Sequence, residues 1–231
     1  MNIRKGVWLW VGFLLLIYGS NVYSGSVPNA DQSKCYNSNG NEIPCRQRGH
    51  AFYGADAAYN ITPSYTKLDE NGNPLPDSAT FWAMVKDNVT GLIWEVKQNM
   101  DGVINYDNPL DADNRYTWYN SNPNNNGGNA GSKNGDRDTE SFLVALNTAR
   151  FGGYSDWRLP TLKELVFLVN HDFFSPSINA YYFPNTKLGH YWSSTTAGIV
   201  YGAWGVDFSY GFDESYYKGY YFYVRAVRGG Q

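Results

Sequence analysis

Apolar positions recur along this chain with two periods, and the change of period marks how it is organised. Within residues 139–150, Phe142, Ala145, Leu146 and Ala149 fall on one helical face. Asp138 or Thr139 stands ready to cap the start and Gly152-Gly153 follows the end, so a helix is predicted. A second helix is predicted after Pro160, where Thr161 and Glu164 have capping-box spacing and Leu162, Leu165, Val166 and Val169 recur at helical intervals. Beyond Asn170 the pattern shortens to alternation. Trp204, Val206 and Phe208 share one face of a strand, and Phe222, Val224 and Ala226 share one face of another. Between them, residues 209–219 read as a long aromatic hairpin loop. Upstream, apolar residues 81–85 and 92–96 flank Asn88-Val89-Thr90-Gly91, the pattern of a hairpin.

Two stretches interrupt this plan. Residues 25–80 carry the turn signals Asn39-Gly40, Asn71-Gly72 and Pro74-Leu75-Pro76 with short extended pieces at 51–53 and 64–68, so they read as an extension of loops and hairpins laid on the main domain. Residues 99–138 include Asn122-Pro123-Asn124-Asn125-Asn126-Gly127-Gly128-Asn129 and almost no aliphatic side chain after Leu110, too little to form a core alone. The order of elements, with two helices followed by antiparallel strands, is that of an α+β fold.

Arg4-Lys5 precedes an uncharged apolar run at residues 7–18, with small residues at Ser20, Ser24 and Gly25, which is the pattern of a signal peptide cleaved after Ser24. The run is shorter than the ~20 residues of a membrane-spanning helix, although Trp8, Trp10 and Tyr18 would also suit an uncleaved anchor at an interface. The expectation is export, with no stable membrane insertion after cleavage, to periplasm, cell surface or medium. Losing Arg4 and Lys5 takes the basic count from 18 to 16 against 21 acids, or about −5, which does not favour nucleic acid as a partner. The only two cysteines, Cys35 and Cys45, sit in an Asn/Gly/Ser-rich segment of an exported chain, so a disulfide is expected between them. Such a loop would gain ~3 kcal/mol.

Four blocks stand out in order: Asp87-Asn88-Val89-Thr90-Gly91-Leu92-Ile93-Trp94, Asp156-Trp157-Arg158-Leu159-Pro160-Thr161, Tyr191-Trp192-Ser193-Ser194-Thr195 and Val224-Arg225-Ala226-Val227-Arg228-Gly229-Gly230. Together they resemble the Lcl C-terminal domain family of bacterial surface and secreted proteins over residues 81–230. The resemblance implies a C-type-lectin-like fold, similar to that of sulfatase-modifying factors, with two helices packed on a twisted antiparallel sheet and long loops. It also implies a role in adhesion or envelope interaction. Some relatives bind sulfated polysaccharides, a ligand that the negative charge here disfavours unless Lys34, Arg46 and Arg48 form a local patch. The insertion at 99–138 departs from the commoner family pattern.

Chemistry is sparse. There are three histidines, His50, His171 and His190, and no cysteine in residues 81–230, so the late cysteine pair of the sulfatase-modifying oxidases is missing and most covalent schemes are excluded. No nucleophile-elbow, zinc-protease or phosphate-loop pattern occurs, and the expectation is that the domain is not an enzyme. Asp107, Asp111 and Asp113, with Asn108 and Asn114, crowd oxygen ligands into one loop. Calcium is the one cofactor they would suit, though the spacing matches no EF-hand and Asx-turns account for the same residues. In the Asp156-Trp157-Arg158 block a structural role is expected, with the two charges serving loop amides or each other, and core or terminal-strand roles are expected of Trp192, Trp204, Arg225 and Arg228, with a pairing of Arg225 to Asp207 as the alternative. The chain holds 20 tyrosines, many of them where the pattern reads as loop. Tyr210, Phe212, Tyr216 and Tyr217 flank Asp213 and Glu214, and Trp118 and Tyr119 would join them if the insertion folds back. Such a set suits a sugar or a protein surface, and cross-strand packing suits it equally. The function expected is an exported, non-catalytic domain recognising a glycan or surface protein; the alternative is a structural or assembly component of the cell envelope.

Overall fold

In the computed structural model, which describes residues 35–36, 41–44 and 63–229, the predicted central hairpin is present as β4 (Met84–Asp87) and β5 (Ile93–Glu95). Its turn is made by Asp87, whose carboxylate accepts hydrogen bonds from the amides of Val89 and Thr90 and from the Thr90 hydroxyl, while Gly91 takes φ +75°. Before it, β3 (Tyr65–Leu68) pairs antiparallel with β4, so residues 65–68 belong to the main sheet. Lys67 pins this segment from within: its ammonium donates to the carbonyls of Asp77 and Ala79 and lies 3.8 Å from the Trp82 ring centre. Further upstream, β1 (Cys35–Tyr36) pairs with β2 (Glu42–Ile43). Cys35 is disulfide-bonded. Cys45, the chain's other cysteine, lies outside the described residues, as do residues 1–24, Lys34, Arg46 and Arg48.

The helix α1 (Thr139–Thr148) begins at Asp138, which caps the Ser141 amide, and buries Phe142 and Leu146. Its end runs into a 3₁₀ turn, Phe151–Gly153, where Gly152 has φ +66° and a Cβ would stand 2.5 Å from the Met84 sulfur. The second helix, α2 (Leu162–Val166), carries the predicted capping box from Thr161 and Glu164 but is only 5 residues long. It unwinds into turns closed by the amides of Leu168 and Val169.

After α2 come β6 (His190–Thr196), β7 (Gly202–Asp207) and β8 (Phe212–Tyr217), an antiparallel sheet with β7 in the middle. Here the structure corrects the reading of residues 209–219 as loop: only a short turn separates β7 from β8. The strand expected at 222–226 is instead a strap whose residues bond to several elements. Phe222 bridges Tyr116, Tyr223 bridges Tyr191, and the chain ends in β9 (Val227–Arg228), which pairs with β5 and, through Val227, with Arg158. The first sheet therefore runs β3-β4-β5-β9, and the fold is α+β with two helices and antiparallel sheets.

Two apolar clusters fill the interior, and successive residues of each strand feed both. Met84, Ile93, Trp192, Ala203 and Ala226 enter the one with α1, whereas Val85, Trp94, Tyr191, Val206 and Val227 enter the one with α2. This two-sided burial explains the unbroken apolar runs at 83–85 and 92–94. Arg225 lies within it, fully buried, donating to the Glu95 carbonyl and to the Thr186 hydroxyl at 2.9 Å each. This is the core role expected of it; the alternative pairing with Asp207 is not formed, because Arg225 reaches β5 and Thr186 instead. Among the described residues no helix is long and apolar enough to cross a membrane.

Candidate recognition surface

The aromatic residues singled out in the sequence fall into two groups. Strand β8 carries Phe212, Glu214 and Tyr216 on one face and Asp213, Ser215 and Tyr217 on the other. Phe212 and Tyr217 are exposed, as are Tyr210 before the strand and Tyr220 and Tyr221 after it, and Tyr210 and Phe212 stack with rings 4° from parallel. Asp213 and Glu214 are exposed and, among the described residues, paired to no cation.

Tyr216 is different. Its ring packs on His190 at 4.5 Å and edge-on against Phe222 at 4.9 Å, and its hydroxyl donates to Glu214 at 2.8 Å. Burial and that carboxylate push the phenol up to about 12, so it stays protonated. His190 Nε2 lies 3.3 Å from the Tyr216 hydroxyl oxygen and Nδ1 lies 3.9 Å from Asp207. The cluster props the hairpin from beneath while its neighbours face solvent.

The insertion does fold back, by a device the pattern did not reveal. The Trp118 amide donates to the Lys218 carbonyl, and the Lys218 ammonium, buried beside the Trp118 ring at 4.2 Å, donates to the carbonyls of Asn126, Asn129 and Val200. One cation thus gathers two turns of the insertion and the β6–β7 connection. A single lysine between Tyr217 and Gly219 carries no sequence signature of that role. Trp118, expected at the surface, is 1% exposed, and its indole donates to the Ser193 carbonyl. Its apolar bulk wins a core position because that hydrogen bond satisfies its N–H. Tyr119, its neighbour, stays half-exposed and forms one wall of an open groove of about 620 Å³, with Asn120, Glu140, Arg158, Glu164 and Thr195 among its other walls.

Arg158 and Glu164 form a two-pronged ion pair on the groove floor, at 2.8 and 2.7 Å, and Arg158 also donates to the Gly229 carbonyl. Burial raises the Glu164 carboxyl, but Arg158 and the Thr161 amide outweigh it and hold the group below its usual range. Asp156 pairs with Arg228 of β9, not with Arg158. The charges of the block therefore tie α2 and β9 to the same loop and are consumed in doing so.

The oxygen-rich loop is also spent internally. Asp111 accepts the Asp113 amide, and Asp113 accepts the Gly102 amide and the Lys187 ammonium. Asn105 accepts the Asp107 amide, and Asp107 itself is exposed. Burial raises the Asp113 carboxyl, yet Lys187 and the Gly102 amide hold it low. Among the described residues no three His, Cys, Asp or Glu side chains are grouped to hold a metal, so Asp107, Asp111 and Asp113 do not converge as a calcium site would require. Asx-turns and one lysine account for the loop.

Compared with known proteins, residues 83–228 match the family model of the Lcl C-terminal domain. No curated protein and no solved structure matches.

Proposed function

As the chain belongs to the Lcl C-terminal domain family, we propose that it is an exported, non-catalytic recognition domain of C-type-lectin-like architecture that binds a glycan or a surface protein, with a role in adhesion. The observation that carries this reading is the β8 hairpin, where Tyr210, Phe212, Tyr217, Tyr220 and Tyr221 are all exposed around two carboxylates that, among the described residues, pair with no cation. Flat rings of low side-chain entropy beside hydrogen-bond acceptors are what recognition surfaces use. Tyr216 is a protonated phenol tied to Glu214, and His190 stacks between rings. Export rests on the amino-terminal pattern of residues 1–24.

The test is binding of the chain from Gly25 to a panel of glycans and purified surface proteins, with wild type and Tyr217→Ala compared. Tyr217 is 55% exposed, so its removal should weaken binding about tenfold while leaving the melting temperature unchanged. Undiminished binding would move the site elsewhere, and a stable oligomer that buries the hairpin would replace recognition by envelope assembly.

A further inference from the structure

Among the described residues, the hydrogen-bond phase of the second sheet leaves one edge unfilled. The Lys218 amide donates to the Tyr201 carbonyl in the same register that pairs Ala203 with Tyr216 and Gly205 with Glu214. In an antiparallel ladder, bonded pairs alternate, so Phe212, Glu214 and Tyr216 bond inward to β7 while Asp213, Ser215 and Tyr217 turn their amides outward. Among the described residues nothing accepts those three N–H groups, and the carbonyls of Asp213 and Ser215 have no donor. The opposite edge of the sheet, by contrast, is closed by Tyr223, which bonds to both His190 and Trp192.

We propose that the open edge of β8 binds an extended basic peptide segment of a partner protein, which adds as a fourth strand; this rests on the recognition reading and names the partner class. Backbone pairing would supply affinity without regard to sequence, and side chains on the two faces would supply choice. Both faces call for a cation. On one, Glu214 stands between Phe212 and Tyr216, so a Lys or Arg opposite it meets a carboxylate flanked by rings. On the other, Asp213 is exposed and uncompensated. A second copy of this chain is the less suited occupant, because its β8 would bring the same two carboxylates and no cation of its own to the shared edge. The edge is thus complementary to a positively charged strand.

The experiment measures binding of fluorescein-labelled Thr-Thr-Val-Lys-Arg-Val-Thr-Thr to the chain from Gly25 by polarisation. Its comparison probes are the same peptide with Lys-Arg replaced by Glu-Asp and the same peptide N-methylated at alternate amides. The basic peptide should bind at least about tenfold more tightly than either. Ser215→Pro removes an outward N–H that the fold does not use, so it should lose about tenfold in affinity with an unchanged circular dichroism spectrum. Asp213→Asn with Glu214→Gln should lose the preference for the basic peptide. Equal binding of the methylated peptide, or no saturable binding of the basic one, overturns the proposal, and the peptide comparison decides this even if Ser215→Pro misfolds. Glycan binding that depends on Tyr217 without peptide binding would leave recognition standing and remove only the strand-addition inference.

Discussion

Lys218→Met would test whether a single buried ammonium holds the insertion to the hairpin. The lysine is 1% exposed and donates to three carbonyls, those of Asn126, Asn129 and Val200. Leaving a buried acceptor without its donor costs about 1–3 kcal/mol, and two are at stake, because the Asn126 carbonyl also accepts the Asn129 amide. Two effects reduce the total. Methionine keeps most of the contact with Trp118, and the cost of burying the ammonium, which pushes its ionisation down, disappears. A net loss of about 2–4 kcal/mol remains, and at about 2–4 °C per kcal/mol for a chain of this size the melting temperature should fall by about 5–15 °C. Differential scanning calorimetry measures the fall, and limited proteolysis reports whether the Asn/Gly stretch at 120–130 becomes the first site cut. A melting temperature within about 2 °C of wild type, with the stretch still resistant, would refute the reasoning. A lower melting temperature without new cleavage would transfer the role to the Val200 turn.

Other perturbations separate support from surface. Glu164 has its carboxyl held low by Arg158, so its contribution is present above the ordinary glutamate range and is lost as pH falls through the lowered value; Glu164→Gln should flatten the acid limb of a melting-temperature profile. Gly131 has φ +89° and a Cβ there would lie 2.2 Å from the Trp118 carbonyl oxygen, so Gly131→Ala should cost about 2–4 kcal/mol in urea unfolding. Tyr216→Ala removes a ring packed on His190 and Phe222 and should cost about 2–3 kcal/mol by the same measurement, whereas Tyr217→Ala should cost less than about 0.5.

What the sequence disclosed tracks how local each cause is. The turn at Asp87 and the capping box at Thr161 and Glu164 are closed within a few residues, and both were legible. Helix α1 was legible because its cap, its buried face and its glycine stop lie in one stretch. Strand β8 was not. It sits at an edge, where Asp213 and Glu214 face water and the residues held inward are held by backbone bonds that leave no mark on composition. The partners of Asp156 and Arg158 were equally hidden, since Arg228 reaches Asp156 across 72 positions and Gly229 reaches Arg158 across 71. Of the surface residues named in advance, Tyr210, Phe212, Asp213, Glu214 and Tyr217 are exposed, while Trp118 and Tyr216 are packed beneath them. An aromatic residue announces its size, and only the tertiary fold decides which of its sides meets water.

The strap at 222–228 also decides whether a shortened chain can hold together. Its residues bond to Tyr116, His190, Trp192, Arg158 and β5, and it supplies Val224 and Ala226 to one cluster and Val227 to the other. A chain cut at Gly219 keeps the residues of both helices and of all three strands of the second sheet, yet lacks residues that complete each cluster. Because the partners of those few residues lie far back in the chain, such a fragment should stay open as a whole instead of losing only its last element. Supplied separately as a peptide, the same strap is the natural complement for a fragment that ends before it.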